Sequence, residues 1–149
     1  MIRLLKKDEA VLYREELKKL LRVCKSGSGE QVSDSFLESK LVDLYGYLEN
    51  DRAYLAVKIS GESPIGFIWG CEILRETQRR FHVLYFAVDE MYQGQGIGTE
   101  LLNFIYNFAE NNGFDAIELN VHSHNISAKA FYEKSGFTPE RISMLKPLR

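Results

Sequence analysis

Between an apolar run ending at Val88 and an amphipathic segment beginning near Gly98, the chain reads Gln93-Gly-Gln-Gly-Ile-Gly98. At a strand-to-helix junction the first backbone N–H groups of the helix have no intrahelical partner, and the helix dipole favours negative charge. Glycine at 94, 96 and 98 removes the Cβ atoms that would hold an oxyanion away from those amides, so the turn suits a phosphate. It is not the dinucleotide fingerprint, because Thr99 stands where that motif has its third glycine, and it is not a P-loop, because the lysine is missing. A tight turn that binds nothing would use the same glycines.

A second set of residues lies at 115–137, where a strand-like stretch from Ala116 to Val121 leads through a polar turn into a helical stretch closed by Gly136. Asn125 is placed to cap that helix, and Tyr132, seven residues on, falls on the same face two turns later. A phenol can donate a proton; the same Tyr beside Phe131 also fits a core aromatic position. His82 is the side chain whose ordinary titration falls nearest neutrality, and Glu118 and Glu72 are the other strand-borne groups able to accept a proton. A surface histidine and two solvated glutamates are the plainer readings. His122 and His124 flank a turn with no third ligand in view, so no metal is expected.

The elements that must carry these residues are read from periodicity. Ile2–Leu5 is strand-like; Asp8 is placed to cap a helix with Val11, Leu12, Leu17, Leu20 and Leu21 on its apolar side, ending near Cys24. Lys25–Gly29 reads as a loop, and a second helix starts at Ser33 or Ser35, with Ser35 and Glu38 as a capping box and Phe36, Leu37, Leu41, Leu44 and Tyr45 as its buried stripe. Ala53–Ile59 and Ile65–Ile73 form a hairpin, and Phe81–Val88 a central strand covered on both faces. A helix from Gly98 to Asn112, the strand from Ala116, a helix from Ile126 to Ser135 and a last extended stretch complete the order β-α-α-β-β-β-α-β-α-β.

The length of 149 residues suits one domain, and 45% hydrophobic with 27% charged residues suits an ordinary globular chain. A formal charge of -2 argues against a nucleic-acid partner. No stretch has the length and apolarity of a membrane span, and Met1–Lys7 lacks a signal-peptide core, so the expected location is cytoplasmic with no membrane partner. Cys24 and Cys71 have no zinc spacing and are too few for a disulfide framework.

Taken together, Gln93-x-x-Gly96-x-Gly98 and the helix carrying Asn125, Ala128, Phe131, Tyr132, Glu133, Lys134, Gly136 and Phe137 resemble the GNAT acyltransferase superfamily. The resemblance covers residues 53–148 and, earlier, only the order of helices. It implies an α/β (α+β) fold with a mixed, mostly antiparallel sheet of six to seven strands and helices on both faces, over a single domain at 1–149. It implies acetyl coenzyme A as acyl donor, lying in a splay between the strand ending at Val88 and the strand ending near Val121. By position, the backbone of Phe86, Ala87 and Val88 would pair with the pantetheine. Gln93, Gly94, Gln95, Gly96, Ile97, Gly98 and Thr99 would receive the pyrophosphate, aided by Lys129, and Asn125 would contact the pantetheine arm.

In the chemistry that the resemblance implies, Tyr132 is the general acid, Val88 N–H the oxyanion donor and His82 the first choice of base, with Glu118 and Glu72 behind it. Asn120 stands where peptide amino-terminal acetyltransferases carry a glutamate and cannot take a proton. That departure keeps a second reading open, a non-catalytic acyl coenzyme A sensor. Residues 2–25 are rich in Lys and Arg, whereas residues 30–51 carry acidic side chains against Lys40 alone, which suggests a cationic amine acceptor. A solvated helix face accounts for the same charges, and edges near the carboxyl terminus are open to a homodimer.

Overall fold

The computed structural model describes residues 1–27 and 29–149, with Ser28 of the expected Lys25–Gly29 loop outside the described residues. Strand β1 (Ile2–Leu4) is followed by helices α1 (Lys7–Leu12), α2 (Arg14–Gly27) and α3 (Asp34–Glu49), then strands β2 (Tyr54–Ser60), β3 (Ser63–Arg75) and β4 (Gln78–Val88). Helix α4 (Ile97–Asn111), strand β5 (Ala116–Leu119) and helix α5 (Ile126–Lys134) follow. The sheet runs in the order β1-β2-β3-β4-β5, antiparallel except for the parallel β4–β5 pair.

Alternation of side chains along β2 and β3 divides the core between the two faces. Leu55, Val57, Phe67 and Trp69 meet Leu17, Leu20 and Leu21 of α2 and Leu37, Leu41, Leu44 and Leu48 of α3. Ala56, Ile68 and Phe81 meet Leu101, Leu102, Ile105 and Ala109 of α4 on the other face, with Phe131 and Tyr132 of α5 packed at its margin. Helices therefore cover both faces, as expected.

Five local expectations need correction. The first helix is two, broken at Tyr13, whose N–H bonds to Ala10 O; the break turns Leu12 outward, 81% exposed, and Val11 with it. Lys6, not Asp8, occupies the cap position of α1, with no side-chain cap. Helix α2 continues past Cys24 to Gly27, and α3 is capped by Ser33, whose Oγ accepts the Phe36 N–H, so Ser35 and Glu38 form no capping box. The last expected strand is absent: Thr138–Arg149 takes no regular structure, which leaves five strands where six to seven were expected. Pro139 and Pro147 each remove a backbone donor from that stretch.

One irregularity was invisible in the apolar run of β4. Trp69 pairs with Tyr85 but Gly70 pairs with Val83, so Leu84 is a bulge. An extra residue reverses the alternation. Phe81 and Val83 therefore face α4, whereas Tyr85 and Ala87, two and four residues on, face α2 and α3.

Gly70 sits opposite that bulge, where an added Cβ would lie 2.3 Å from the Phe81 ring and 2.9 Å from His82 O. Phe81 is fully buried and has nowhere to go. Gly70→Ala is expected to cost about 1–3 kcal/mol by overpacking, lowering Tm by about 3–9 °C in calorimetry. An unchanged Tm would mean that the strands pair in another register.

Candidate active site

Pairing of β4 with β5 extends only from Arg80↔Ala116 to Val83↔Leu119, while β4 runs on to Val88. Beyond Val83 the two strands part, and one edge of β4 is left without a neighbouring strand. The Asp89 N–H bonds to Ile65 O on the β3 side. Backbone groups alternate in direction along a strand, so Ala87 also turns toward β3 while Phe86 and Val88 direct theirs into the open seam. In agreement, the Phe86 amide is hydrogen-bonded to the Cys24 thiol of α2. Of the expected trio Phe86, Ala87 and Val88, the first and last direct their backbone groups into the seam, whereas Ala87 turns toward β3 with its methyl buried under α2 and α3.

The glycine turn lies at the end of this seam. Gly96 caps α4 in the left-handed conformation, φ 83°, which a Cβ would disfavour. Its carbonyl accepts Glu100 N–H at 3.0 Å, and no side chain caps the helix. The N–H groups of Ile97, Gly98 and Thr99 precede the first intrahelical bond and form the anion-favouring end of a fifteen-residue helix. Gly94 also has positive φ, 80°. Gly98 does not; it lies within the first turn, where an added Cβ would make ordinary van der Waals contact with Phe131 and Phe86. Gln93 turns its side chain back, Nε2 donating to Val88 O at 3.0 Å, and Gln95 is exposed. Asp89, which the sequence reading passed over, braces the turn: its carboxylate accepts the Met91 N–H at 3.0 Å and pairs with Lys19 of α2 at 2.9 Å, which hold its pKa below the usual range.

Asn125 and Tyr132 come from α5. Asn125 caps the helix, Oδ1 accepting Ala128 N–H at 3.2 Å, while Nδ2 reaches Gly27 O at 3.4 Å, so both ends of its amide hold protein groups. Lys129, one turn on, is half-exposed and forms no ion pair among the described residues. Tyr132 packs among Phe86, Phe131 and Phe137, ring centroids 6.3, 5.5 and 5.7 Å away. Burial, with a smaller effect from Cys24, pushes its pKa up to about 12. The phenol is therefore protonated at neutral pH.

His82 proves to be buried at the root of the seam. Cys71, His82 and Glu118 form one row across β3, β4 and β5, and His82 Nδ1 lies 2.5 Å from Glu118 Oε2, with each residue only 8% exposed. Arg75 holds the same carboxylate through Nε and Nη2, both at 2.7 Å, and Arg80 Nη1 adds a third contact at 3.3 Å. Arg75, followed by His82, brings the Glu118 pKa down to about 2 despite its burial. An ionised Glu118 accepts from Nδ1–H, which fixes the neutral tautomer with its lone pair on Nε2. Glu118 thus stands as an ionised hydrogen-bond partner of His82. Glu72 is held at 2.8 Å by Arg79, and Asn120, His122 and His124 are exposed beyond β5.

Beside this row opens a cavity of about 530 Å³ lined by Tyr47, Asp51, Arg52, Tyr54, Trp69, Cys71, Glu72 and Leu84. The acidic stretch that suggested a cationic acceptor turns mostly inward to its basic neighbours: Glu38 pairs with Arg14 and Lys18, Asp34 with Arg22, and Glu49 with Lys7. Asp51 has no such partner among the described residues, and it is on the cavity.

The chain thus combines a mixed sheet with a half-opened parallel pair, a glycine-capped helix at its end and a phenol beside it. Residues 14–137 match the family model described as Acetyltransferase (GNAT) family, and the chain belongs to that family. It is 43% identical over 99 residues to "Probable N-acetyltransferase san" of Drosophila melanogaster, a match covering 59% of this chain and 53% of the relative. The chain spans about half the length of the curated relatives it matches. Its fold is that of a possible acetyltransferase from Clostridium difficile 630 (TM-score 0.78, 19% identity, 99% of this chain and 95% of the other). An aminoglycoside acetyltransferase from an uncultured soil metagenomic sample, solved in complex with sisomicin, is equally close in fold (TM-score 0.77, 17% identity, 100% and 96% covered). Among the described residues no helix is long and apolar enough to cross a membrane.

The drop in Glu118 pKa from 4.5 to about 2 corresponds to on the order of 3 kcal/mol of folding stability. A depressed carboxyl pKa stabilises above its unfolded value, and the contribution is lost as pH falls through the folded one. Urea unfolding of Glu118→Gln is therefore expected to show a deficit near that size at pH 7 that closes between about pH 4.5 and 2. A deficit constant across that range would remove the buried ion pair as its cause.

Proposed function

We propose that residues 1–149 act as one domain that transfers an acetyl group from acetyl coenzyme A directly to a primary amine, with both substrates bound together. The observation that carries this reading is the open seam, where the Phe86 amide, held by the Cys24 thiol, and the Val88 amide, neither paired to a strand, lead to a helix end with free N–H groups. Those groups suit the alternating amides of a pantetheine arm and the charge of a diphosphate. Bound acetyl coenzyme A supplies an acetyl group activated as a thioester. Ile97, Gly98 and Thr99 N–H, with the backbone of Gly94, Gln95 and Gly96, hold the diphosphate; Phe86 and Val88 hold the arm, and Val88 N–H faces the acyl oxygen. Lys129 assists from α5, while Asn125 and Gln93 act by bracing.

Tyr132 Oη keeps its proton at neutral pH, within a largely apolar pocket, and delivers it to the departing sulfur. His82 Nε2 takes a proton from the incoming ammonium, directly or through a water, and Glu118 stabilises the imidazolium that results. The buried His82–Glu118 pair is an acid–base device in the place where Asn120 offers none, and it favours an enzyme over a coenzyme A sensor. The acceptor amine enters through the cavity beside Cys71, whose lining includes Tyr47, Tyr54, Trp69 and the carboxylate of Asp51, which has no ion-pair partner among the described residues; aromatic side chains and such a carboxylate suit a cation.

Tyr132→Phe is expected to keep its Kd for acetyl coenzyme A within about twofold by calorimetry and to lose on the order of 10²-fold in kcat by thiol release. His82→Gln should lose a similar factor in kcat. Wild-type kcat in either variant would cancel the role given to that residue. Asp51→Asn is expected to raise KM for the amine by about five- to tenfold with kcat unchanged, as for one lost charge contact near the surface; an unaltered KM would take Asp51 out of the acceptor site.

A further inference from the structure

Helix α3 ends in a way that works against its own stability. The Arg52 N–H bonds to Tyr47 O at 2.7 Å and the Asp51 N–H to Leu48 O at 3.3 Å, the paired closure of a helix whose next residue is left-handed. That residue is Asp51, φ 55°, at a position where glycine or asparagine is usual. Its carboxylate also stands at the negative end of the helix dipole, with no basic side chain in the last turn of α3. Backbone and charge are both unfavourable, and no ion pair among the described residues offsets them.

Two further groups at the same cavity lack partners. Arg52 is exposed and forms no ion pair among the described residues. Trp69 is 2% exposed, and its Nε1 has no hydrogen-bond partner among the described residues, although a buried indole N–H ordinarily finds one. Glu72, the other charged residue of the lining, is taken by Arg79. A carboxylate, a guanidinium and an N–H are thus left for a ligand. Their complement is an ammonium two bonds from a carboxylate, which is the head of an α-amino acid.

The amine that reacts is a different one. A carboxylate beside an amine keeps the proton on it, whereas a nucleophile must lose that proton. Asp51 therefore suits a cation that stays charged. The nucleophile belongs on the β3 wall, where Cys71 is paired across the strands with His82. Tyr47, Trp69 and Leu84 supply apolar surface along which a methylene stem can lie.

We propose that the acceptor is a free α-amino acid with a terminal side-chain amine, of the lysine or ornithine type. Asp51 takes its α-ammonium, Arg52 and the Trp69 N–H take its α-carboxylate, and the side-chain amine reaches His82. The side-chain ammonium gives one proton to His82, and the neutral nitrogen bonds to the acetyl carbon as the carbon–sulfur bond breaks. The proton that the nitrogen then sheds replaces the one that Tyr132 gives to the sulfur. A lysine within a polypeptide has neither head charge and an alkyl diamine has only the ammonium, so neither satisfies all three groups. The fate of the side-chain amine rests on the acetyl transfer proposed above; recognition of the head does not.

By thiol release, lysine is expected to show a kcat/KM about tenfold above pentane-1,5-diamine, 6-aminohexanoate or Nα-acetyl-lysine amide, which lack one or both head charges. Any of the three used as well as lysine overturns the proposal. Proton magnetic resonance of the product should place the acetyl group on the side-chain nitrogen, and acetylation of the α-nitrogen overturns it. Arg52→Gln is expected to narrow the preference for lysine over the diamine to within about twofold, a change that a general loss of folding would not produce; a preserved preference takes Arg52 out of the site. Calorimetric titration of lysine in the presence of coenzyme A reads the head group without acetyl transfer, and Kd should rise about five- to tenfold in Asp51→Asn and in Arg52→Gln. Lysine bound in this way by a protein that releases thiol with no amine would sink the enzymatic reading and keep the site, whereas thiol release with other amines and no lysine binding would do the reverse. The Tm of ligand-free Asp51→Asn is expected at or above that of the wild type; a fall of several degrees would mean that the protein itself holds the carboxylate, which overturns its assignment to a ligand.

Discussion

Strand β4 has two strand neighbours for only half its length, and everything proposed about ligands depends on what fills the other half. Two features force the opening. Strand β5 is four residues long against eleven in β4, so the ladder runs out at Leu119. The bulge at Leu84 then adds a residue just past the last paired position and increases the local twist, which carries Tyr85–Val88 away from the β5 line. The same added residue decides which side chains meet. Without it Phe86 would turn beneath α2, and Phe131 and Tyr132 would lose the β4 ring that they pack against. An irregularity of one residue therefore sets both the direction of the amides and the seat of the phenol.

Electrostatics are arranged by contrast between two kinds of ion pair. The basic α1–α2 segment and the acidic α3 segment neutralise one another across their interface, through exposed pairs such as Arg14–Glu38 and Lys7–Glu49 that contribute little each and are weakened by salt. Glu118 is of the other kind. A carboxylate 8% exposed would be costly if unpaired, and Arg75, Arg80, Arg141 and His82 converge on it. Because Glu118 is ionised throughout the physiological range, the tautomer of His82 is held constant while its Nε2 remains available for proton exchange.

Much of this was legible in the sequence where one local rule governs. The glycine turn, the Asn125 cap, the α4 and α5 helices and the hairpin follow from turn chemistry, capping and period, and they stand within two or three residues of where the pattern puts them. What was not legible depends on register across strands. Cys71, His82 and Glu118 are far apart in sequence and become one row only when β3, β4 and β5 align, so Glu118 read as a competing base. The run Val83-Leu-Tyr-Phe-Ala-Val88 is apolar at every position and carries no sign of the residue at which its faces exchange. Charge patterning was legible only in part for a related reason: that Glu38, Asp34 and Glu49 of the acidic block face basic partners, while Asp51 does not, shows only once the block that pairs with it is folded against it.

Cys24 shows how such a seam can exist in a folded chain without its ligand. An edge that is partly covered and offers N–H groups to nothing would be destabilising, and the Phe86 amide avoids this by donating to the Cys24 thiol. Burial pushes that thiol's pKa up, so it remains neutral, and a neutral sulfur is among the weakest acceptors a protein has. The C-terminal end of α2, which positions Cys24, is itself tied to α5 by the bond from Asn125 to Gly27 O. The amide is thus satisfied well enough to fold, yet held so weakly that a carbonyl of a pantetheine arm would replace sulfur with a better acceptor. In this arrangement Asn125 and Cys24 act on the proposed ligand through the backbone they support, which accounts for an Asn whose side chain is wholly engaged by the protein at a position where sequence resemblance implies contact with the ligand.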